Sequence, residues 1–376
     1  TGMSVVNSNL AHHLCRITEE MRIIYFARFG QDEAGVAKTS IPFDSYEVVN
    51  CEGGVWNPLT VELAIRRYKL NAIYSEDDWW SAKGLVMASK KMKVPFYFLT
   101  PIDSLPIHRE GQKIFKECRK VFVPNQSYRY IPNGVYLPHA VDWMTFRPVR
   151  GKASDKFIFL WIGRDERRKA LGRAILAFEK IYKKYDCKFV VRTNWGESAK
   201  SMNTHRYIQT KRLPIIQDRM SDCPHGYLAN VYSACHAYIC SSKAGGSEMG
   251  ILEANACGLP SLTTDWTFMN ENVKNGKTGF LIPVESYDRF TETVRRTTFT
   301  RTWGNISIDR LAEKMIWMIE HKEKALGLGV EGLLWVRELK WEDVAERFMD
   351  TILEDLNVNH QKPEKSNIKC EPKPLY

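Results

Sequence analysis

Residues 241–260 read SSKAGGSEMGILEANACGLP. A loop holding Gly245 and Gly246 leads into Met249, Ile251, Leu252, Ala254, Ala256 and Cys257, a helix of small and apolar residues that stops at Gly258 before Pro260. Backbone amides at such a helix start lack intrahelical partners and lie at the positive end of the helix dipole, so they suit phosphate oxygens. Glu253, one turn in, is a carboxylate on an otherwise apolar helix; it needs a partner, and a pair of sugar hydroxyls is one. A plain glycine turn with a solvated Glu253 fits the same letters.

Working outward, this loop and helix lie between two strands, AYIC at 237–240 and PSLTT at 260–264. Buried strands also read out at 157–162 (FIFLWI), 188–193 and 278–282, with an amphipathic helix at 170–185 carrying Leu171, Ile175, Phe178 and Ile181. Before the Pro-, Arg- and Gly-containing stretch 146–152 a similar series runs: strands at 20–28, 46–51, 72–76 and 94–100, helices at 58–70 and 81–93. Alternation of this kind predicts two α/β units with parallel sheets and right-handed crossovers, ligands sitting at the carboxyl ends of the strands.

Composition sets outer limits. At 376 residues, 44% hydrophobic and 26% charged, the chain is long enough for about two domains and is neither a disulfide miniprotein nor a low-complexity segment. Nine scattered cysteines without a CxxC pair speak against a zinc ribbon and for a reducing, cytoplasmic setting. No apolar run approaches the ~20 residues of a membrane span. The net charge of +10 favours polyanionic partners: a nucleic acid, an acidic membrane surface or a phosphorylated small molecule in a cleft.

A second constellation is Gly163-Arg164-Asp165-Glu166-Arg167-Arg168-Lys169, directly after the strand 157–162. Cations at the carboxyl end of that strand, facing the glycine loop, can neutralise a diphosphate. A solvated charged turn is the alternative.

In order along the chain, WIGRDERRKALGRAILAF, YLANVYSACHAYICSSKAGGSEMGILEANACGLPSLTTDW and NENVKNGKTGFLIP resemble the carboxyl-terminal half of glycosyltransferase family 4, the retaining GT-B enzymes that use nucleotide-sugar donors. VFVPNQSYRYI and YLPHAVDWMTFRPV resemble its passage into the second domain, and KWEDVAERF its closing helix, which crosses back onto the first. The resemblance implies an α/β GT-B fold: an acceptor domain over 1–148 with its first strand absent, a donor domain over 149–340 and a cross-over helix at 341–356; the tail 357–376, polar, rich in Lys and Pro and without periodicity, reads as disordered.

Carried onto single residues, it places Arg164 and Lys169 on the donor diphosphate, where they stabilise the leaving group, and Glu253 on the donor ribose. Gly163, Gly246 and the loop Met249-Gly250-Ile251 approach phosphate and sugar. Gly2 resembles the glycine loop of the first domain. Thr193 and Ile215, the latter in a loop at 213–221, fall where relatives surround the nucleotide base. Two departures stand out. Gly245 occupies the place of the family's first glutamate, with Glu248 nearby as a substitute, and Asp103 in TPIDSLPI stands near the place of a histidine carried by many relatives. Some relatives carry a similar Pro-x-Asp element, so the resemblance places Asp103 as a catalytic group on donor sugar or acceptor; an Asx turn after Pro101 is the plain alternative. Trp79 and Trp80 either line the acceptor site or pack, and His139 is expected in a structural turn.

The reading is therefore a metal-independent, retaining hexosyltransferase without cofactor, its donor a nucleotide-diphosphate sugar and its acceptor a glycan or lipid-linked glycan. Basic residues on helices of the first domain, among them Arg66, Lys90, Lys91 and Lys113, suit peripheral contact with an anionic membrane. With the run RRTTFTRTW at 295–303 they suit DNA equally, and transfer to modified bases is the variant. A sugar-nucleotide-binding protein without transfer activity is the rival of a different class.

Overall fold

The computed structural model describes residue 6 and residues 9–14, 24–27, 47–50, 57–149, 151–152, 154–195, 199–219, 225–294 and 297–356. Gly2 and the tail 357–376 lie outside the described residues.

In the first unit, strands β1 (Ile24–Ala27) and β2 (Glu47–Asn50) pair in parallel. Strands β3 (Ile73–Glu76), β4 (Phe96–Leu99), β5 (Lys120–Val123) and β6 (Gly134–Tyr136) form a parallel sheet in that order. Helix Pro58–Tyr68 starts as its sequence dictates: Pro58 needs no amide partner there, and the Asn57 side chain accepts from the Leu59 amide.

The second unit carries β7 (Phe157–Ile162), β8 (Cys187–Thr193), β9 (Ile215–Arg219), β10 (Ala237–Cys240), β11 (Ser261–Thr264) and β12 (Gly279–Ile282) in one parallel sheet, ordered β12-β11-β10-β7-β8-β9. From β7 the chain winds outward to β9, then returns to the middle and winds the other way. The reversal point, where β10 pairs with β7, opens a crevice at the carboxyl ends of those two strands. The two loops singled out in the sequence, 163–169 and 241–248, emerge there.

The segment 213–221, expected as a loop, contains β9 at the sheet edge. Its alternation is real but short: Ile215 turns into the core beside Phe189, Ile208 and Leu213, and Ile216 is exposed on the opposite face. Ile215 therefore does not face the crevice.

Helix Met249–Ala256 is short and nearly apolar because it is covered all round; Ile251, Leu252, Ala254 and Ala256 are buried with Tyr232, Tyr238 and Cys240. Gly258, at φ +76°, ends it in the left-handed conformation, and the Leu259 amide reaches back to Ala254 O at 2.9 Å.

Two elements bind the units together. Helix Trp341–Asp355 lays Trp341, Val344, Phe348 and Ile352 against Tyr97, Leu99, Phe122 and Leu137 of the first unit, as the family resemblance implied. Its end is fixed by Asp355, which accepts from Tyr97 at 2.7 Å and Arg119 at 2.6 Å. The second was not expected: β13 (Val284–Val294) and β14 (Thr297–Ile306) form a long antiparallel ribbon. Its base is held by Arg173 on Glu285 and by Lys243 on Asp288 (2.7 Å), and Phe299 plants it among Trp79, Trp80 and His108 of the first unit. No helix among the described residues is long and apolar enough to cross a membrane.

Candidate functional site

The crevice is built from two loops tied by their backbones, the Lys243 amide donating to Arg168 O at 2.7 Å. From the first loop Arg168 donates to Ala244 O (2.8 Å) and to Glu248 Oε1 (3.2 Å), and Lys169 donates to Glu248 Oε2 (2.5 Å). Two cations thus converge on one buried carboxylate at the start of helix Met249–Ala256. Burial alone would raise the Glu248 pKa, but Lys169 and Arg168 outweigh it and hold it below the usual carboxylate value. Arg164 stands exposed at the rim. Asp165 is buried, accepts from Thr204 at 2.5 Å and fixes the loop.

Gly245 explains where Glu248 goes. A Cβ on residue 245 would lie 2.6 Å from Glu248 Oε1, so the Glu248 carboxylate fills the space that a side chain at 245 would need. Gly246 marks a close approach of the two units. A Cβ there would meet Pro101 at 2.7 Å and the Ile102 amide nitrogen at 3.0 Å, and Gly246 O accepts from the buried Asn125 side chain at 2.6 Å. A Cβ on Gly250 would collide with the Tyr238 hydroxyl at 2.6 Å.

Deeper in, Tyr232 donates to Glu253 Oε2 at 2.9 Å. Burial raises the Glu253 pKa against the opposing pull of Tyr232 and Lys169. The partner demanded by this carboxylate on an apolar helix is, on one oxygen, a tyrosine. Met249 and Gly250 are half-buried at the helix start, and Ile251 is sealed in the core. Among the described residues no three His, Cys, Asp or Glu side chains converge as a metal-ligand set.

The family model of glycosyl transferases group 1 matches residues 144–298. This segment is a glycosyl transferases group 1 domain. No curated protein matches the chain. Among solved structures, it is similar to sucrose-phosphate synthase of Thermosynechococcus elongatus, at 16% identity and TM-score 0.75, over 94% of this chain and 93% of that one. A glycosyltransferase of Rickettsia africae matches at 14% identity and TM-score 0.72, over 94% and 95% of the two chains. HepE of Anabaena, in complex with UDP and glucose, matches at 13% and 0.72, over 94% and 96%. The two α/β units and the returning helix make up the GT-B fold of these proteins.

Within the glycosyl transferases group 1 domain, Thr193 is buried at the carboxyl end of β8 and donates to Asn194, which also receives the Asp165 amide at 2.9 Å. Gly163 begins the cationic loop, its amide donating to Arg192 O at 3.1 Å. Asp103, across the crevice, pairs with Arg301 of the ribbon at 2.8 Å, and Ser104 donates to it at 3.2 Å. Trp79 and Trp80 pack on Phe299, and His139 is buried near Trp341. Sequence reasoning missed Arg168 and Arg301. The signal for Arg168 was present as an Arg-Arg-Lys run, but a loop has no period by which to choose among the three cations.

Proposed function

We propose that the chain is a retaining, metal-independent glycosyltransferase of family 4 that moves a hexose from a nucleoside-diphosphate sugar to an acceptor hydroxyl of a glycan or lipid-linked glycan. The observation that carries this reading is the pair Arg168 and Lys169, gathered on Glu248 at a helix start in the crevice of the doubly wound sheet. The UDP, glucose and UDP-glucose complexes of HepE, on the same fold, support a nucleotide-sugar donor.

The chemistry follows from charge. Two cations near a diphosphate stabilise the negative charge that grows on it as the sugar departs, and the crevice holds them before the reaction begins. Arg164, at the rim, meets the outer oxygens. Glu253 has one oxygen on Tyr232 and turns the other to the ribose hydroxyls. Glu248, in the space that a side chain at 245 would fill, lies beside the transferred sugar and aligns the cations. The contact of Gly246 with Pro101 and Ile102 brings the two units together and keeps water from the donor.

Purified protein, incubated with a panel of nucleotide sugars, should release nucleoside diphosphate in the presence of EDTA. Lys169→Ala should lower kcat by about 10²–10³, the usual loss for removing one such group. NMR of the product's anomeric proton should show the donor's configuration kept. An inverted product, or turnover abolished by the chelator, would overturn the proposal.

A further inference from the structure

The root of the ribbon carries a carboxylate that grips both loops of the crevice. Asp288 Oδ2 accepts from Lys243 Nζ at 2.7 Å, and the Arg167 guanidinium stands 3.7 Å from the same oxygen. Lys243 belongs to the loop 241–248 and Arg167 to the loop 163–169. We propose that Asp288 is a positioning residue for the donor: it sets the two loops against each other so that Arg168 and Lys169 face the diphosphate. The assignment rests on the transferase reading above and adds to its donor site a residue from outside the doubly wound sheet.

The carboxylate is itself held. Asn305, buried on β14, donates to Asp288 Oδ1 at 3.0 Å and to Ser286 Oγ at 3.1 Å, so both Asp288 oxygens are engaged. The hydrogen bonds from Lys243 and then Asn305 hold its pKa below the ordinary aspartate value, which keeps the charge on it.

The backbone repeats the link. On neighbouring rungs of the ribbon, Tyr287 faces Gly304 and Asp288 faces Trp303, and the Gly304 amide donates to Lys243 O at 2.9 Å. The Lys243 amide in turn donates to Arg168 O. Residue 243 is thus the middle of a chain that runs from the ribbon through the glycine loop to the cationic loop. It has no slack at its start, because a Cβ on Gly304 would lie 2.7 Å from the Trp266 ring and 2.8 Å from the Val284 side chain.

The same root sorts three consecutive cations. The Arg167 guanidinium lies over the Phe290 ring at 4.7 Å and the Trp303 ring at 5.6 Å, held on the ribbon by cation-π attraction. With Arg167 turned to the ribbon, its neighbours Arg168 and Lys169 turn to Glu248 in the crevice. A loop without a period of its own takes the order of its side chains from the element packed on it.

The sign of one substitution separates two uses of Lys243. If Lys243 were a direct ligand of the diphosphate, Asp288 would compete for it, and removing the carboxylate charge would tighten binding. If Asp288 positions the loops, removing its charge weakens binding.

The test uses the full chain. UDP, GDP and ADP are titrated by calorimetry, and release of the tightest of them from its nucleotide sugar gives donor KM and kcat. Asp288→Asn should raise the Kd of that diphosphate and the donor KM by about tenfold, more than an exposed ion pair is worth and less than the ~100-fold cost of a misplacement of about 1 Å. Damage to the fold alone would lower kcat through the active fraction and leave Kd and KM where they were. Lys243→Met should act as Asp288→Asn does, and the double variant should bind no more weakly than either single one, since all three cut one link. In the parent, where no substitution is needed, the diphosphate should slow amide exchange at 302–306 as well as at 163–169 and 241–248. An unchanged or lowered Kd in Asp288→Asn, additive losses in the double variant, or protection confined to the two loops would overturn the assignment. Failure of the parent to bind any of the three diphosphates sinks the transferase reading itself, whereas binding that Asp288→Asn leaves untouched sinks only the role of Asp288.

Discussion

Glu248 is the counter-ion of Arg168 and Lys169. Under the proposed function it holds a second role that pulls in the opposite direction, since a donor diphosphate claims the same cations. The carboxylate therefore competes with the ligand it helps to orient. Replacing it with glutamine removes the competitor while keeping the shape. UDP affinity in Glu248→Gln should rise several-fold, since charge-assisted contacts no longer have to be exchanged. Turnover should fall by about 10² as the group facing the sugar loses its charge. Calorimetry with UDP and steady-state kinetics check both signs; weaker UDP binding with undiminished kcat would refute the assignment. At this scale the sequence was partly legible. Gly245 stood out as a missing glutamate, with Glu248 nearby in the same short loop as a substitute. Arg301 was invisible, since it meets Asp103 from 198 residues away in a segment with no motif.

At the scale of elements, the strands read from apolar runs, such as 157–162 and 237–240, stand within a few residues of their places, because burial on both faces leaves a continuous apolar run, whereas β5, β6 and β9 were not read as strands. The ribbon Val284–Thr297 and beyond failed that test for a physical reason. It forms a sheet of its own, and its inward face interleaves Phe290, Val294, Phe299 and Trp303 with the charged Asp288, Glu292 and Arg301, so the apolar alternation is broken at every other step. One anchor in the first unit is Phe299, 4% exposed, stacked on Trp80 at 5.3 Å between centroids, beside the Arg301–Asp103 pair. Truncation of a buried Phe costs about 3–5 kcal/mol in a rigid core, and an element that can lift away should relax to the lower end. Phe299→Ala should thus cost about 3 kcal/mol in urea unfolding and speed amide exchange in 297–306, whereas the exposed Thr298→Ala should change stability by less than about 0.5 kcal/mol. Equal effects of the two would show that the tip is not docked.

At the scale of the whole molecule, the returning helix joins its end to its beginning, and a titratable group lies beneath the joint. His139 is buried near Trp341, and neither ring nitrogen has a hydrogen-bond partner. Burial pushes its pKa down to about 4 from the ordinary 6.5. Between those values the unfolded chain binds a proton that the folded one refuses, so the contribution of His139 to stability is complete above about pH 6.5 and is lost as pH falls toward 4. From pH 7 to pH 5 the loss amounts to about 2 kcal/mol. The net slope of stability with pH is not diagnostic. His236, also down to about 4, adds to it, while Glu76, Asp78 and Glu253, raised by burial, bind protons in the folded state and act in the opposite sense. A difference between variants isolates the joint. His139→Phe keeps a ring that cannot ionise, so its urea-derived stability should fall between pH 7 and pH 5 by about 2 kcal/mol less than that of the parent. If the two proteins lose stability in parallel across that window, His139 is solvated and protonated in the folded chain, and the helix Trp341–Asp355 does not seal the joint in solution.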